Sequence, residues 1–456
     1  MQTLSRSGSP RGVHWRRAVL HGMALFAFGA HLSAASVGEV SFSRGAGSAL
    51  SPSGAQRIMG TGLALNEGDS LATSTGATAI IKLQDGTKLT MRSQSRLVFE
   101  KFRYTDGAKD NALVIKLTEG GVRVVSGEIS KASADAAVIQ TSVGTLKMMG
   151  GNFDARICGP ECQVESGKTG GKPSPTVVSA SAKFVSVEGD LFAVPPDGNK
   201  RKVFVGSPIN KGESLESGTK ASGVVVFQDD SRLTIAGGTQ IKIDDYRFDA
   251  KKPAEGSSAV SLLSGSMRAL TGVIAKENVS AVSYNTPTAT IGIRGTGLDL
   301  DCSSAGTCNF FTWLGAIAVL PKGQTNMPPI FISAGNGLQV TPTRAEPAGP
   351  TLLNLTRPDQ VPVDLKQLFT VSDSAGKQVG LIVSVQDGTV ELASDEKKVY
   401  LSAGETGVAS PDGEVSRPPT KPLFIEFDKT PQPNAVNPLL QSLFSDVSVR
   451  TVETCP

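Results

Sequence analysis

A fourteen-residue frame that occurs twice constrains this chain more than any other feature. Residues 286–299 read TPTATIGIRGTGLD and residues 141–154 read TSVGTLKMMGGNFD, in register without a gap. Thr141 stands over Thr286, Thr145 over Thr290, Gly150 over Gly295 and Asp154 over Asp299, and a cysteine follows each copy within four residues. Ala289, Ile291 and Ile293 alternate with Thr288, Thr290 and Gly292, the period of a half-buried strand. Gly295 and Gly297 then predict a turn, and Leu298-Asp299-Leu300 continues as strand. A β-rich unit has been duplicated. Further matches support this: Asn66-Glu67-Gly68-Asp69-Ser70-Leu71 against Asn210-Lys211-Gly212-Glu213-Ser214-Leu215, LQDGTKLT at 83–90 against FQDDSRLT at 227–234, and Phe102 and Tyr104 against Tyr246 and Phe248.

The first 35 residues differ in kind. Arg11, Arg16 and Arg17 precede an apolar run over 18–30, and Ser33 and Ala35 suit a cleavage site, which together predict a secretory signal peptide. The Arg16-Arg17 pair fits both ordinary and twin-arginine signals. Later segments contain no apolar run of the roughly 18 residues that a membrane helix needs, so a soluble periplasmic or secreted protein is expected. Removing this segment takes four arginines and no acid, leaving 41 basic against 42 acidic residues. That balance provides no electrostatic support for a nucleic-acid partner. His14, His21 and His31 are the only histidines and leave with it. Ser-His-Asp and Cys-His catalysis and histidine-ligated metals are thereby excluded from the mature chain.

Abundant glycine (50) and proline (26) with 5 % aromatics suit short strands joined by turns. The expected organisation is an all-β first unit over 37–165, a polar linker over 166–182 and a second unit over 184–340. A proline-rich connector over 341–369, a partial third β segment over 370–430 and a tail over 431–456 complete it. Within these, Gln84-Asp85-Gly86 predicts a hairpin. Glu119-Gly120-Gly121 predicts another, between 113–117 and 122–125, and Gln386-Asp387-Gly388 a third. Asn437-Pro438-Leu439-Leu440 predicts one short helix.

Three features together resemble the FecR domain, an extracytoplasmic sensor and regulator module of bacteria. They are Glu67-Gly68-Asp69-Ser70-Leu71 leading to Gln84-Asp85-Gly86-Thr87, Thr286-Pro287-Thr288-Ala289-Thr290 with Ile293-Arg294-Gly295-Thr296-Gly297, and Leu401-Ser402-Ala403-Gly404-Glu405. The resemblance implies an all-β fold of short strands, more like a β-solenoid coil than a flat β-sandwich. It also implies a role in passing a signal between envelope proteins. Well-known members sit on an inner-membrane helix and address a cytoplasmic sigma factor; neither feature is read here, so that role does not carry over.

Several residues invite chemistry. Cys158 and Cys162, and Cys302 and Cys308, flank short turns, and in an oxidising compartment each pair is expected to close a local disulfide. Cys455 is left over as a lone thiol or an intermolecular link. Gly292-Ile293-Arg294-Gly295-Thr296-Gly297 is not a phosphate loop, because no helix opens behind it, and Met149 replaces Arg294 in the other copy. Asp299 and Asp301 could pair on one strand face for calcium or glycoside chemistry, but Arg156 replaces Asp301 in the first unit. Shared Asp154 and Asp299 are therefore expected as buried, hydrogen-bonded turn carboxylates. Phe310, Phe311 and Trp313 are a candidate stacking surface. No metal or cofactor is expected.

The chain is thus expected to be a non-enzymatic envelope sensor or adaptor that binds another envelope protein. The alternative is a structural or carbohydrate-binding surface protein, with polysaccharide as partner.

Overall fold

The computed structural model describes residues 36–159, 162, 180–323, 328–350, 353–370, 380–426, 428–436 and 438. The expected signal peptide, most of the 166–182 linker, the predicted 437–440 helix except Pro438, and Cys455 lie outside the described residues, as does the side chain of Arg294. The described chain is all-β: a sheet of 16 strands and a sheet of 15, each curled around its own apolar core.

Period-two alternation builds each curl. In Ala112–Glu119, Leu113, Ile115 and Leu117 are fully buried while Lys116 and Thr118 face water, and every inward row meets another across the sheet. One wall of the first unit runs Ser36–Arg44, Thr78–Leu83, Lys88–Met91, Gly121–Val125 and Thr145–Cys158, all antiparallel. The other wall runs Gly47–Leu50, Ser70–Thr73, Arg96–Arg103, Ala112–Glu119 and Ala137–Gln140. Thr145–Cys158 joins them, pairing first with Ala137–Gln140 and then with Gly121–Val125. The second unit repeats this plan with Ser257–Leu270 and Ala289–Cys302 at the same junction.

Ala112–Glu119 pairs in parallel with Ala137–Gln140, and Ser257–Leu270 with Val282–Asn285. Each parallel pair needs a crossover, which contains a five-residue helix, Glu128–Ala132 or Val273–Glu277. Five residues are too few for a helical period, so neither helix is legible by spacing. The Gln-Asp turn holds both. Asp85 accepts from Thr87 N and Ile129 N, and its carbonyl accepts from Glu128 N; Asp229 does the same for Ser231, Ile274 and Val273. Gly86 takes φ +83° in the first copy, and Asp230 is left at φ +63° in the second.

The structure departs from several sequence expectations. The strands flanking Glu119-Gly120-Gly121 do not pair with each other; they belong to different walls, and Gly120 (φ +68°) is the corner between them. Gly121 is glycine because a Cβ there would lie 2.7 Å from the Ala155 carbonyl. Gly295 does not turn the chain either. Ala289–Cys302 is one strand of 14 residues, and Gly295 (φ +61°) sits at a register shift between Arg294 and Gly297. The extra residue is absorbed as a bulge.

Gln386-Asp387-Gly388 likewise lies inside one strand, Gly380–Ser394, as a bulge facing Gly150-Gly151. A Cβ on Gly388 would stand 2.1 Å from the Gly150 carbonyl, so the two glycine-bearing bulges interlock. That strand also changes the status of the segment set apart as 370–430. Gly380–Ser394 pairs along the whole of Thr145–Cys158, and Leu381, Val383, Val385, Val390 and Leu392 complete the first unit's core. In the second unit the same place is filled by the next strand in sequence, Cys308–Pro321. Lys397–Ser402 and Thr406–Ala409 then correspond to Ile330–Ser333 and Gly337–Val340. The second unit is inserted between two partner strands of the first.

Candidate functional site

The shared aspartates of the repeated frame sit mid-strand, not in turns. Asp154 faces Arg123 directly across the sheet, and Asp299 faces Arg268. Both carboxylates are buried, and both point away from the apolar core, opposite the inward Phe153, Ala155, Leu298 and Leu300. Arg268 grips Asp299 with two hydrogen bonds, Nε to Oδ1 at 2.7 Å and an Nη2 to Oδ2 at 2.8 Å. Arg123 Nε lies 2.8 Å from Asp154 Oδ1 as an ion pair, and Gln386 donates to the other carboxylate oxygen. Burial pushes the Asp154 carboxyl above the usual range against the pull of Arg123; the hydrogen-bonded Asp299 raises the Arg268 guanidinium.

Each pair leaves guanidinium donors pointing outward, and each catches an extended segment by its main chain. Arg268 donates to the Leu355 carbonyl at 2.7 Å and to Leu353 at 3.3 Å. Beside it, Thr234 donates to the Thr356 carbonyl at 2.9 Å, and Arg232 donates to Pro358 and Val361 at 3.1 Å. In the first unit Arg123 donates to the Thr430 carbonyl and, at 3.3 Å, to Asp428, whose carboxylate also pairs with Arg92 and Arg123. A cavity of about 350 Å³ lies here, lined by Arg123, Asp154, Gln386, Lys421, Ile425, Glu426, Asp428, Lys429, Thr430 and Gln432. Residues 353–361 and 428–432 are therefore straps across equivalent faces. Carbonyl capture by a charged, orientated donor is strong and indifferent to side chains. Arg123 and Arg268 are missing from the sequence reading, although their shared offset of 145 residues matched that of the aspartates.

The candidate aromatic surface divides by strand period. Phe310 is fully buried in the second core, so it is not part of any exposed stacking face. Phe311 and Trp313 lie on the opposite side, where Trp313 covers Gly297, whose added Cβ would meet the ring at 2.4 Å, and carries the Arg357 guanidinium 4.6 Å over its centroid. Asp301 accepts from Ser266 and does not join Asp299 in a shared site. Thr141 and Thr286 close short turns, with hydroxyls bonded to Gly144 and Ala289, and Pro287 follows in the second. Cys158 is bonded to Cys162 and Cys302 to Cys308. Only the second bridge spans a hairpin, since the partner strand of Thr145–Cys158 arrives from residue 380 onward. Among the described residues no group of three or more His, Cys, Asp or Glu could hold a metal. No helix among them is long and apolar enough to cross a membrane.

The third resemblance motif lies where the two units meet. Gly68-Asp69, Gly212-Glu213 and Gly404-Glu405 form the same turn: each glycine has φ between +84° and +88°. Each acid accepts from the backbone N–H three residues back and pairs with an arginine, Arg57, Arg201 or Arg417. Glu405 additionally meets Lys183 of the second unit at 3.1 Å, both fully buried. Burial outweighs the carboxylate and pushes the Lys183 ammonium down to about 8.

Residues 69–168 and 213–317 match the family model described as FecR protein. No curated protein matches the chain. Two crystal structures of a provisionally assigned anti-sigma factor from Parabacteroides distasonis match with 11 % identity and TM-scores of 0.24 and 0.23. These matches cover 30 % of this chain and 57 % of that protein, so the chain spans little more than half its length. The chain therefore carries two FecR regions in tandem, one in each of its two units.

Proposed function

We propose that the protein is a non-enzymatic, extracytoplasmic sensor or adaptor that binds another envelope protein in signal transduction. The observation that carries this reading is the pair of FecR regions, a family of signal-transduction regulators. The two local disulfides fit an oxidising compartment. Twin faces that hold main-chain carbonyls suit recognition of an extended polypeptide better than turnover of a small substrate. The aromatic trio gives a carbohydrate reading little support, because Phe310 is in the core and Arg357 covers Trp313.

The test is a photo-crosslinking amino acid at Arg357, half-exposed on the 353–361 strap, in protein expressed with its own leader. A discrete adduct with one envelope protein, in cells whose periplasmic fraction holds a chain beginning near Ser36, is expected. Adducts with polysaccharide alone, or a chain retained in the cytoplasm, would overturn the reading.

A further inference from the structure

The two units meet through a closing face and an opening face, and the molecule carries each of these twice, once per unit. At the junction Tyr400, on Lys397–Ser402 of the first sheet, is almost fully buried with Met149 and with Val226 of the second unit. It covers Gly206 of the second unit so closely that a Cβ there would stand 2.6 Å from the ring. The closing face of the first unit thus holds the opening face of the second.

Register places Phe331 where Tyr400 stands. Ile317 faces Ile293 as Val390 faces Met148. Ser333 then faces Ala316 as Ser402 faces Thr389, and the Ser333-Ala334-Gly335 turn repeats Ser402-Ala403-Gly404, with φ +87° and +84°. Two residues before these serines come Phe331 and Tyr400, one 66 % exposed and the other 8 %. The opening faces correspond as closely. Gly62 N donates to the Val40 carbonyl as Gly206 N does to Phe184, and the glycines have φ +87° and +86°. An added Cβ at Gly62 meets nothing within 4 Å, and Thr61 and Gly62 are exposed, as is Ile58 at 87 %.

We propose that the closing face of the second unit, centred on Phe331, docks the opening face of the first unit, centred on Gly62, in a second copy of this chain, repeating the internal junction between molecules. The occupant is argued from complementarity as well as from repetition. The buried Lys183–Glu405 pair of the internal junction becomes Glu39 opposite Asn336, a carboxylate facing an amide, so no like charges are buried. Val226, which packs with Tyr400, becomes the exposed Lys82, whose alkyl stem offers apolar cover at the same place. Such a contact is heterologous: each copy offers one face and receives the other, so assembly grows head to tail or closes as a ring.

The experiment is sedimentation analysis of the purified protein across concentration, with Thr61→Asp and Phe331→Asp, both at exposed positions, checked by circular dichroism for an unchanged fold. The wild type is expected to exceed monomer mass as concentration rises. Each variant should associate about thirtyfold more weakly or worse, as loss of a central aromatic or a buried charge implies. An equimolar mixture of the two should recover a dimer and stop there, because one variant keeps an intact closing face and the other an intact opening face. A wild type that stays monomeric at all soluble concentrations would overturn the proposal. So would association indifferent to Phe331→Asp, or variants whose mixture fails to pair.

Discussion

Lys183 shows how burial and pairing compete at one residue. Its ammonium pairs with Glu405 and donates to the Tyr400 carbonyl at 3.2 Å, yet desolvation wins and the group titrates near 8. In the unfolded chain a lysine keeps its proton to about 10.4. Between these values the unfolded state binds more protons than the folded one, so stability rises with pH in that window and is flat with respect to this group below it. Tyr246 and Tyr284, whose buried hydroxyls are pushed up, act in the opposite sense above about 10. Urea titrations at pH 8 and 10 should show a gain of up to about 3 kcal/mol in the wild type, lost in Lys183→Met. A slope unchanged by that substitution would refute the assignment. At the clamps, Asp299→Ala strands a guanidinium that is 13 % exposed and is expected to cost about 3 kcal/mol. Arg268→Lys should fail to match the wild type, since one ammonium cannot reproduce the bidentate grip and the carbonyl bonds together.

At the scale of elements, the repeated frame is a bulged strand rather than a turn, and its glycines differ in why they are glycine. Gly151 combines φ +96° with a position where a Cβ would lie 2.0 Å from the Asp387 carbonyl; Gly295 has φ +61° and open space. Gly151→Ala is therefore expected to destabilise by about 3 kcal/mol or more, and Gly295→Asn by under about 1 kcal/mol, because asparagine tolerates the left-handed region. Equal effects in chemical denaturation would mean that bulge interlocking is not what holds Gly380–Ser394 in place. The Cys302–Cys308 bridge closes a six-residue separation inside a hairpin that is already paired. Replacing both cysteines with serine should cost about 2 kcal/mol or less, read as a shift in the urea midpoint.

For the whole molecule, the consequence is a discontinuous first unit whose chain is interrupted by a continuous second one. A fragment covering 180–361 contains both strands of its Ala289–Cys302 and Cys308–Pro321 hairpin and its own strap. It is expected to fold, with dispersed amide resonances. A fragment covering 36–179 lacks the strand that covers Thr145–Cys158 and five core residues supplied by Gly380–Ser394, and is expected to be degraded in limited proteolysis. Folding of 36–179 alone would show that the late strand is an accessory and not a structural part.

The sequence by itself determined what is local: strand faces from alternation, the Asp85-Gly86 and Gly-acid turns from positive φ, the duplication, and the burial of the frame's aspartates, though not their mid-strand place. Turn chemistry and alternation act over a few residues, so they are readable from a few residues. Only the tertiary structure decided which strands meet. Any strand with one apolar face satisfies the demand of Thr145–Cys158, and nothing near residue 158 says that its partner begins at 380. For the same reason nothing on their own strands marks the arginines of the clamps. Their role exists only because antiparallel register sets Arg123 against Asp154 and Arg268 against Asp299, where the low dielectric of a covered sheet face binds each pair to a passing backbone.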